Sequence, residues 1–365
     1  MLIQIHMLQN YAPSNLNRDD TGSPKDAVFG GFRRGRISSQ CLKRSIRRSE
    51  VFNDAFAAQG LLADRTLMLP KLVNEELEKM GVEEAARQDI TKSLSQLGGG
   101  KASDEQKTRL LIFLADNEVK IVSEKLWALY QEVGSKKFEK LSIGDLEEAM
   151  VHATPRSVDV AMFGRMTTSV AFDDMAAAVQ VAHALSTNAL DREFDYFTAV
   201  DDLSGESGAG MIGDVEFNSS TYYKYFNIHW EQLVNNLGGD KEIATHAVSA
   251  FIKAAAIAQP SGKQNSFAAQ NLPDFVMVDI NDNNVPVSYA NAFLEPAHNR
   301  GGTLMENSIK QLNVYAEQVR TAYGLSGRYV YFATIPAEVS AGSDMHSLPD
   351  LQQWVVSQLQ GAVNG

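Results

Sequence analysis

The chain has 365 residues, of which 44% are hydrophobic and 21% charged, with a formal net charge of −12 and one cysteine, Cys41. This is long enough for one elaborated domain or two, with the composition of a soluble globular protein. It excludes an intrachain disulfide and a thiolate metal cage. It contains no run of 18 or more apolar residues, which argues against a membrane span, and its first 16 residues lack the pattern of a secretion signal. The expectation is a cytoplasmic protein with no membrane partner.

Residues 2–8 read as a strand, with Ile3, Ile5 and Met7 on one face. Residues 10–36 follow as a long connection of little periodicity, and loops of that length are usually functional or disordered. Ser38 or Ser39 fits the N-cap of a helix reaching about Phe52. On that helix Cys41, Leu42 and Ile46 share one side, while Lys43, Arg44, Arg47 and Arg48 form one cationic stripe. Residues 54–149 carry mainly helical signals, interrupted by Gly98, Gly99 and Gly100. Residues 157–168 alternate like a strand, and residues 173–188 read as a helix capped by an Asp pair.

A long hairpin is expected next, with limbs 193–202 and 215–230 and a Gly/Ser-rich tip around residues 205–213. Its return limb carries Tyr222, Tyr223, Tyr225 and Phe226, the aromatic load of a strand. Helices at 242–258, 305–323 and 348–363 and strands at 275–280 and 328–333 complete the chain. Interleaved strands and helices with long insertions point to an α/β or α+β fold around one sheet.

The net charge hides its distribution. Residues 17–48 hold nine Lys or Arg against three Asp, a local charge of +6 that leaves −18 on the rest. A basic patch on an acidic body suits a protein that holds a polyanion in one place and repels it elsewhere. Familiar catalytic signatures are missing. The run Gly30-Gly31-Phe32-Arg33-Arg34-Gly35 has Phe32 where a dinucleotide loop needs its second glycine, and neither Gly100-Lys101 nor Gly262-Lys263 completes a P-loop. None of the seven histidines stands at ligand spacing from another, so no metal or cofactor is expected.

The segment from Leu16 to Ser49 suits a phosphate cradle. Gly30, Gly31 and Gly35 would let backbone amides come close to a phosphate, and a helix starting near Ser39 offers its N-terminal dipole. Ser38, Ser39 and Gln40 offer short polar groups to phosphate or 2′-OH, and Lys43 and Arg47 lie one turn apart.

The run NRDD followed by KDAVFGGFRRGRISSQCLKRSIRRS closely resembles the N-terminal signature of CasC, the backbone subunit of type I-E Cascade. The resemblance continues in FGRMTTS (163–169), FDYFTAVDDL (194–203), Gly262-Lys263-Gln264 and PVSYANAF (286–293), and is weakest over about 54–147. It implies a modified RRM/ferredoxin-like palm (1–53 and 150–365), an inserted helical fingers domain (54–149) and a β-hairpin thumb (191–230). It also implies a non-enzymatic subunit that stacks head to tail along CRISPR RNA and leaves the bases free to pair with target DNA. Its partners would be copies of itself, the large and small subunits, and the guide-end caps including the guide-processing endoribonuclease. Arg18, Lys25, Ser38, Gln40, Lys43, Arg47 and Gln264 match guide-contacting positions, and Met166 and Phe197 match positions against the interrupted base stack. A protein that accepts any guide should read phosphates and shape. The alternative is an RNA-cutting subunit, as in type III complexes, with Asp19 and Asp20 as metal-assisted acids.

Overall fold

The computed structural model describes residues 1–98, 104, 106–150, 156–200, 209–340 and 342–361. It divides into two compact units. Met1–Phe52, Val179–Trp230 and Thr245–Gly365 form the first, and Asn53–Ala178 with Glu231–Ala244 the second. The strands are β1 (Leu2–Ser14), β2 (Asp26–Phe29), β3 (Phe32–Ile37), β4 (Ala63–Thr66), β5 (Ile112–Ala115), β6 (Val179–Val181), β7 (Ala184–Ser186), β8 (Glu193–Val200), β9 (Ala209–His229), β10 (Phe275–Asn281), β11 (Arg328–Ala333) and β12 (Ser343–Asp344). The helices are α1 (Ser39–Arg47), α2 (Glu50–Phe56), α3 (Leu69–Lys79), α4 (Glu84–Leu94), α5 (Asp116–Val133), α6 (Ser135–Phe138), α7 (Ile143–Met150), α8 (Val158–Phe163), α9 (Trp230–Asn236), α10 (Lys241–Ile257), α11 (Gln264–Phe267), α12 (Leu304–Tyr323) and α13 (Leu348–Gly361).

The first unit is built on a sheet of order β12-β11-β10-β1-β9-β7-β3-β2, with β6 and β8 also pairing with β9. β1 lies antiparallel between β10 and β9, in registers Leu2↔Asn281 and Leu2↔His229. Being central, it is buried almost end to end. Alternation along β9 puts Tyr223 and Tyr225 on one face and Phe226 on the other. The tyrosines pack with Leu8, Phe275 and Met277 against Met305, Ile309 and Leu312 of α12. Phe226 meets Phe251 of α10 edge-on, at 5.6 Å between ring centroids. Farther along the sheet, Tyr11, Leu16, Ile37, Tyr222 and Ala269 close over Leu42 of α1.

The second unit is mainly helical. Leu69, Val73 and Leu77 recur every fourth residue on α3, as do Ile90 and Leu94 on α4 and Val122 and Leu126 on α5. These rows meet in one core with Phe138, Leu146 and Met150. The short pair β4–β5 joins them in the register Ala63↔Ala115.

Four local expectations are corrected. The connection 10–36 is not irregular throughout, since β1 continues to Ser14 and β2–β3 form a hairpin. The Gly30-Gly31 turn of that hairpin has φ of 61° and 84°, both left-handed, as a two-residue turn between twisted strands requires. The helix expected to reach Phe52 stops at Arg47, and a new turn starts where the Ser49 hydroxyl accepts from the Phe52 amide. Residues 157–168 contain helix α8, not a strand. Val158 to Met162 are all buried, so the apolar alternation carried no facing information. Residues 173–188 form no helix. β9 recruits Val179–Val181 opposite Ile228–Phe226, and edge pairing overrides the helical propensity of the alanines. The helical unit also extends past residue 149 to Ala178, because Ala171 and Phe172 enter its core and Arg165 pairs with Glu118. Gly99, Gly100 and residues 201–208 of the expected hairpin tip lie outside the described residues, as do residues 362 and 363 of the closing helix.

Candidate nucleic-acid interface

Three segments of the first unit build the cradle: the loop after β1, the first turn of α1, and the loop at 259–271. Asn17 ties the first to the second. Its side-chain oxygen accepts from the Ser38 amide at 2.9 Å, and its carbonyl accepts from the Lys25 amide at 2.8 Å. Ser38 is the N-cap, its hydroxyl accepting from the Cys41 amide at 3.3 Å. Ser38 is therefore buried and shapes the helix start, while Gln40 is exposed beside it. The third segment touches the first backbone to backbone. A Cβ at Gly262 would stand 2.2 Å from the carbonyl oxygen of Leu16. Leu16, Asn17, Arg18, Asp20, Cys41 and Gly262 line part of the resulting open cleft of about 480 Å³.

Seven of the nine sequence candidates lie on these three segments or farther along α1, and of the seven Arg18 lines the cleft itself. Arg18 is exposed in the loop after β1, and Lys25 is half-buried at the start of the hairpin. Lys43 and Arg47 stand half-buried one turn apart on α1, with Arg44 and Arg48 exposed beside them. Lys43 forms no ion pair among the described residues. Gln264 lies in the 259–271 loop, where its amide nitrogen donates to the carbonyls of Pro260 and Ala269 and so shapes that loop.

Not every cation of the basic segment serves the cradle. Arg34 is fully buried and donates to the carbonyls of Ser186, Thr187, Phe293 and Leu294, which fastens β3 to its neighbours. Arg33 is ion-paired with Asp26 at 2.6 Å, and Asp26 also takes Arg192. Two of the three glycines also have packing roles. A Cβ at Gly30 would lie 2.1 Å from the Leu294 carbonyl oxygen, and one at Gly35 would lie 2.6 Å from the Tyr222 hydroxyl. The Gly35 amide is already bonded to Ser186, so the expected amide cradle at Gly35 is not formed.

Asp19 and Asp20 sit at the rim of the cleft. One Asp19 carboxylate oxygen accepts from the Thr21 hydroxyl, the Thr21 amide and the Ser23 amide, which folds the loop on itself. The Thr21 hydroxyl bond lowers the Asp19 pKa below the usual carboxylate value. Among the described residues no three His, Cys, Asp or Glu converge in a way that could hold a metal ion.

The remaining two candidates lie elsewhere. Met166 belongs to the second unit and is 92% exposed. Its presentation is rigid at the root. Nη1 of the Arg165 guanidinium donates to both carboxylate oxygens of buried Glu118, at 2.8 and 2.9 Å, and to the Phe113 carbonyl, while Nε and Nη2 donate to the Asp173 carbonyl. Burial pushes the Glu118 pKa up, against the opposing pull of Arg165. Phe197 sits on β8 opposite Gly213, in a hairpin of the first unit. A Cβ at Gly213 would come within 2.6 Å of the Phe197 ring, so the glycine makes room for the aromatic. Phe194, Tyr196, Met211 and Ile212 of the same hairpin are exposed, giving apolar surface on both faces of the ribbon. These four went unread in the sequence, although the lack of a consistently polar face in Glu193–Val200 was the available signal.

The family model described as CT1975-like protein matches residues 3–355. No relative among curated proteins matches the chain. Among solved structures, a chain of a "CRISPR RNA-guided surveillance complex, pre-nicking" is 29% identical, with a TM-score of 0.81 over 98% of this chain and 100% of that one. A chain of a second "CRISPR RNA-guided surveillance complex" is 25% identical, with a TM-score of 0.73 over the same shares. The large mixed sheet of the first unit is thus the RRM-like palm of this fold. Matched along nearly its whole length in sequence and fold, the chain belongs to the CT1975-like, CasC-like family of Cascade backbone proteins.

Proposed function

We propose that this protein is the guide-binding backbone subunit of a type I-E Cascade, stacked head to tail along CRISPR RNA in the cytoplasm and not itself catalytic. The observation that carries this reading is the placing of Arg18, Lys25, Gln40, Lys43 and Arg47 on one loop and the helix tied to it, with Arg18 lining an open cleft, on a chain that is otherwise strongly acidic. Such a cleft binds a backbone by its charge and remains indifferent to base sequence. Met166 and Phe197 offer a thioether and an aromatic face on which a displaced base would stack. The large and small subunits and the guide-end caps with their endoribonuclease would complete the particle. Target DNA would then pair with the guide.

The test is to co-express the chain with its neighbouring subunits and a CRISPR array, purify by a tag on this chain, and sequence the RNA. Uniform repeat-flanked guides, with complementary DNA bound and complementary RNA left intact, are the expected result. Particles free of guide RNA would refute the reading. The second reading is RNA cleavage at Asp19 and Asp20, favoured by their place on the cleft rim. It predicts complementary RNA cut at regular intervals and spared by Asp19→Ala or Asp20→Ala.

A further inference from the structure

Beneath the cradle lies a buried lysine that neither the sequence motifs nor the phosphate contacts involve. Lys224 stands on β9 opposite Met7 and is fully buried. Its ammonium donates to the side-chain oxygen of Gln9 and, at 3.2 Å, to the Tyr11 hydroxyl, with the Tyr11 ring centroid 5.5 Å away. Among the described residues no carboxylate partners it. A buried cation held only by neutral oxygens is costly, and such groups are uncommon without a role.

The same two side chains hold both ends of the 259–271 loop. The Gln9 amide nitrogen donates to the Asn271 carbonyl at 2.5 Å and to the Gln259 side-chain oxygen at 3.1 Å. The Tyr11 hydroxyl donates to that Gln259 oxygen at 2.6 Å, and the Ala12 amide donates to the Asn271 side chain at 3.1 Å. Between these anchors the loop carries Gly262 against Leu16, then Lys263 and Gln264.

An ammonium has three donors and no acceptor. While Lys224 is charged, Gln9 must turn its oxygen inward and its NH₂ toward the loop. Tyr11 must likewise accept from Lys224 and donate to Gln259. A neutral amine can accept, so the Tyr11 hydroxyl is then free to donate to it instead of to Gln259, while the Asn271 carbonyl keeps the Gln9 amide turned to the loop. We propose that Lys224 is a positioning residue for guide binding, whose charged form polarises the Gln9–Tyr11–Gln259–Asn271 network and holds the 259–271 loop in the cradle. This rests on the guide-binding reading of the cradle. It adds that RNA binding is coupled to protonation of Lys224.

Burial supplies the coupling by lowering the Lys224 pKa to about 7. Phosphates laid over the cradle favour the cation and raise that value. Below pH 7 the amine is charged with or without RNA, and affinity is highest. Above pH 7 the free protein is neutral there and must take up a proton to bind, so affinity falls as pH rises. The groups facing this amine are Tyr11 on β1, Tyr222 on β9 and Cys41 on α1. Burial raises the pKa of each, so all three stay protonated through the window. Arg18, Lys25, Lys43, Arg44, Arg47 and Lys263 bring the other positive charges of the cradle, and Asp19 and Asp20 at its rim the negative ones.

The test uses the full chain and a labelled, mixed-sequence single-stranded RNA, with affinity measured from pH 6.5 to 8.5 at constant salt. Wild type is expected to weaken about sixfold across that range, matching a one-unit rise in the Lys224 pKa on binding. Lys224→Met is expected to keep its fold, to unfold at no lower temperature, to bind about tenfold more weakly at pH 6.5 and to lose the pH dependence. Lys43→Glu serves as the control and is expected to weaken binding at every pH with the slope intact. Lys224→Met with wild-type affinity and slope overturns the proposal. If Lys224→Met does not fold, proton uptake by wild type on RNA binding at pH 8 decides. Measurable uptake supports the coupling, and none overturns it. Failure of wild type itself to bind RNA would defeat the guide-binding reading, a result distinct from failure of the Lys224 assignment.

Discussion

A Cβ at Gly262 would stand 2.2 Å from the carbonyl oxygen of Leu16, and both atoms that would have to move belong to backbone. Gly262→Ala is therefore expected to cost about 1–3 kcal/mol of stability by forcing the loops apart. RNA affinity should fall with it, because the displaced loop forms one wall of the cleft. Thermal unfolding and RNA titration of the same variant check both. A wild-type melting temperature together with wild-type affinity would show that the two loops do not need their contact.

His6 carries a second residue-scale prediction. Its ring stacks on Tyr289 at 4.6 Å, its Nδ1 lies 2.8 Å from the Tyr223 hydroxyl, and burial followed by nearby Arg320 holds its pKa down to about 3. Between pH 6.5 and 3 the unfolded chain binds a proton here that the folded chain does not, so this group lowers stability on acidification. Asp279 acts in the opposite sense. Burial pushes its pKa up to about 6, so the folded form binds the extra proton between about pH 4 and 6 and gains stability on acidification. His6→Gln removes only the first effect. The stability difference between pH 7 and pH 5 should then shift by about 2 kcal/mol in favour of pH 5, relative to wild type. Urea unfolding at the two pH values measures it, and an unchanged difference would contradict the burial argument.

At the element scale, the proposed RNA contact rests on α1, an amphipathic helix with a cationic stripe. Leu42 and Ile46 anchor it, and Lys43 and Arg47 stand half-buried one turn apart beside them. Lys43→Glu with Arg47→Glu reverses the stripe without touching either anchor. The fold should survive, as read by circular dichroism, while RNA affinity falls about a hundredfold and guide loading stops. Full-length RNA-containing particles from the double variant would show that the cradle lies elsewhere. The β8–β9 hairpin follows the opposite logic. A ribbon with exposed apolar residues on both faces has few internal contacts to stabilise it, so its surface is available to an outside partner.

For the whole molecule, the proposed head-to-tail stacking, open and not closed into a ring, would generate a helical array, and avidity along the guide would multiply weak phosphate contacts. Particles assembled on guides of increasing length should therefore grow in proportion, as electron microscopy or mass photometry would show. Their RNA retention should fall steeply between 50 and 200 mM salt, by roughly 10³-fold for about six phosphate contacts. Particles of fixed size on every guide, or retention insensitive to salt, would count against assembly on the RNA backbone.

By itself the sequence determined the parts whose evidence is local. The cationic segment, a serine cap at 38 or 39, the long β-hairpin and the helices α10, α12 and α13 follow from charge, capping chemistry and periodicity within a few residues of each other. The match of named motifs to the CasC family was likewise legible, because those motifs are long and contiguous. Only the tertiary structure decided what depended on distant partners. It buried Arg34 among four carbonyls and drew residues 179–181 into strand pairing with β9. It also set Gly262 against Leu16 and left Lys224 charged or neutral according to a burial that no neighbour in sequence reveals. The division has one physical cause: capping and periodicity act over a turn or two of chain, whereas desolvation and sheet pairing are set by residues hundreds of positions apart.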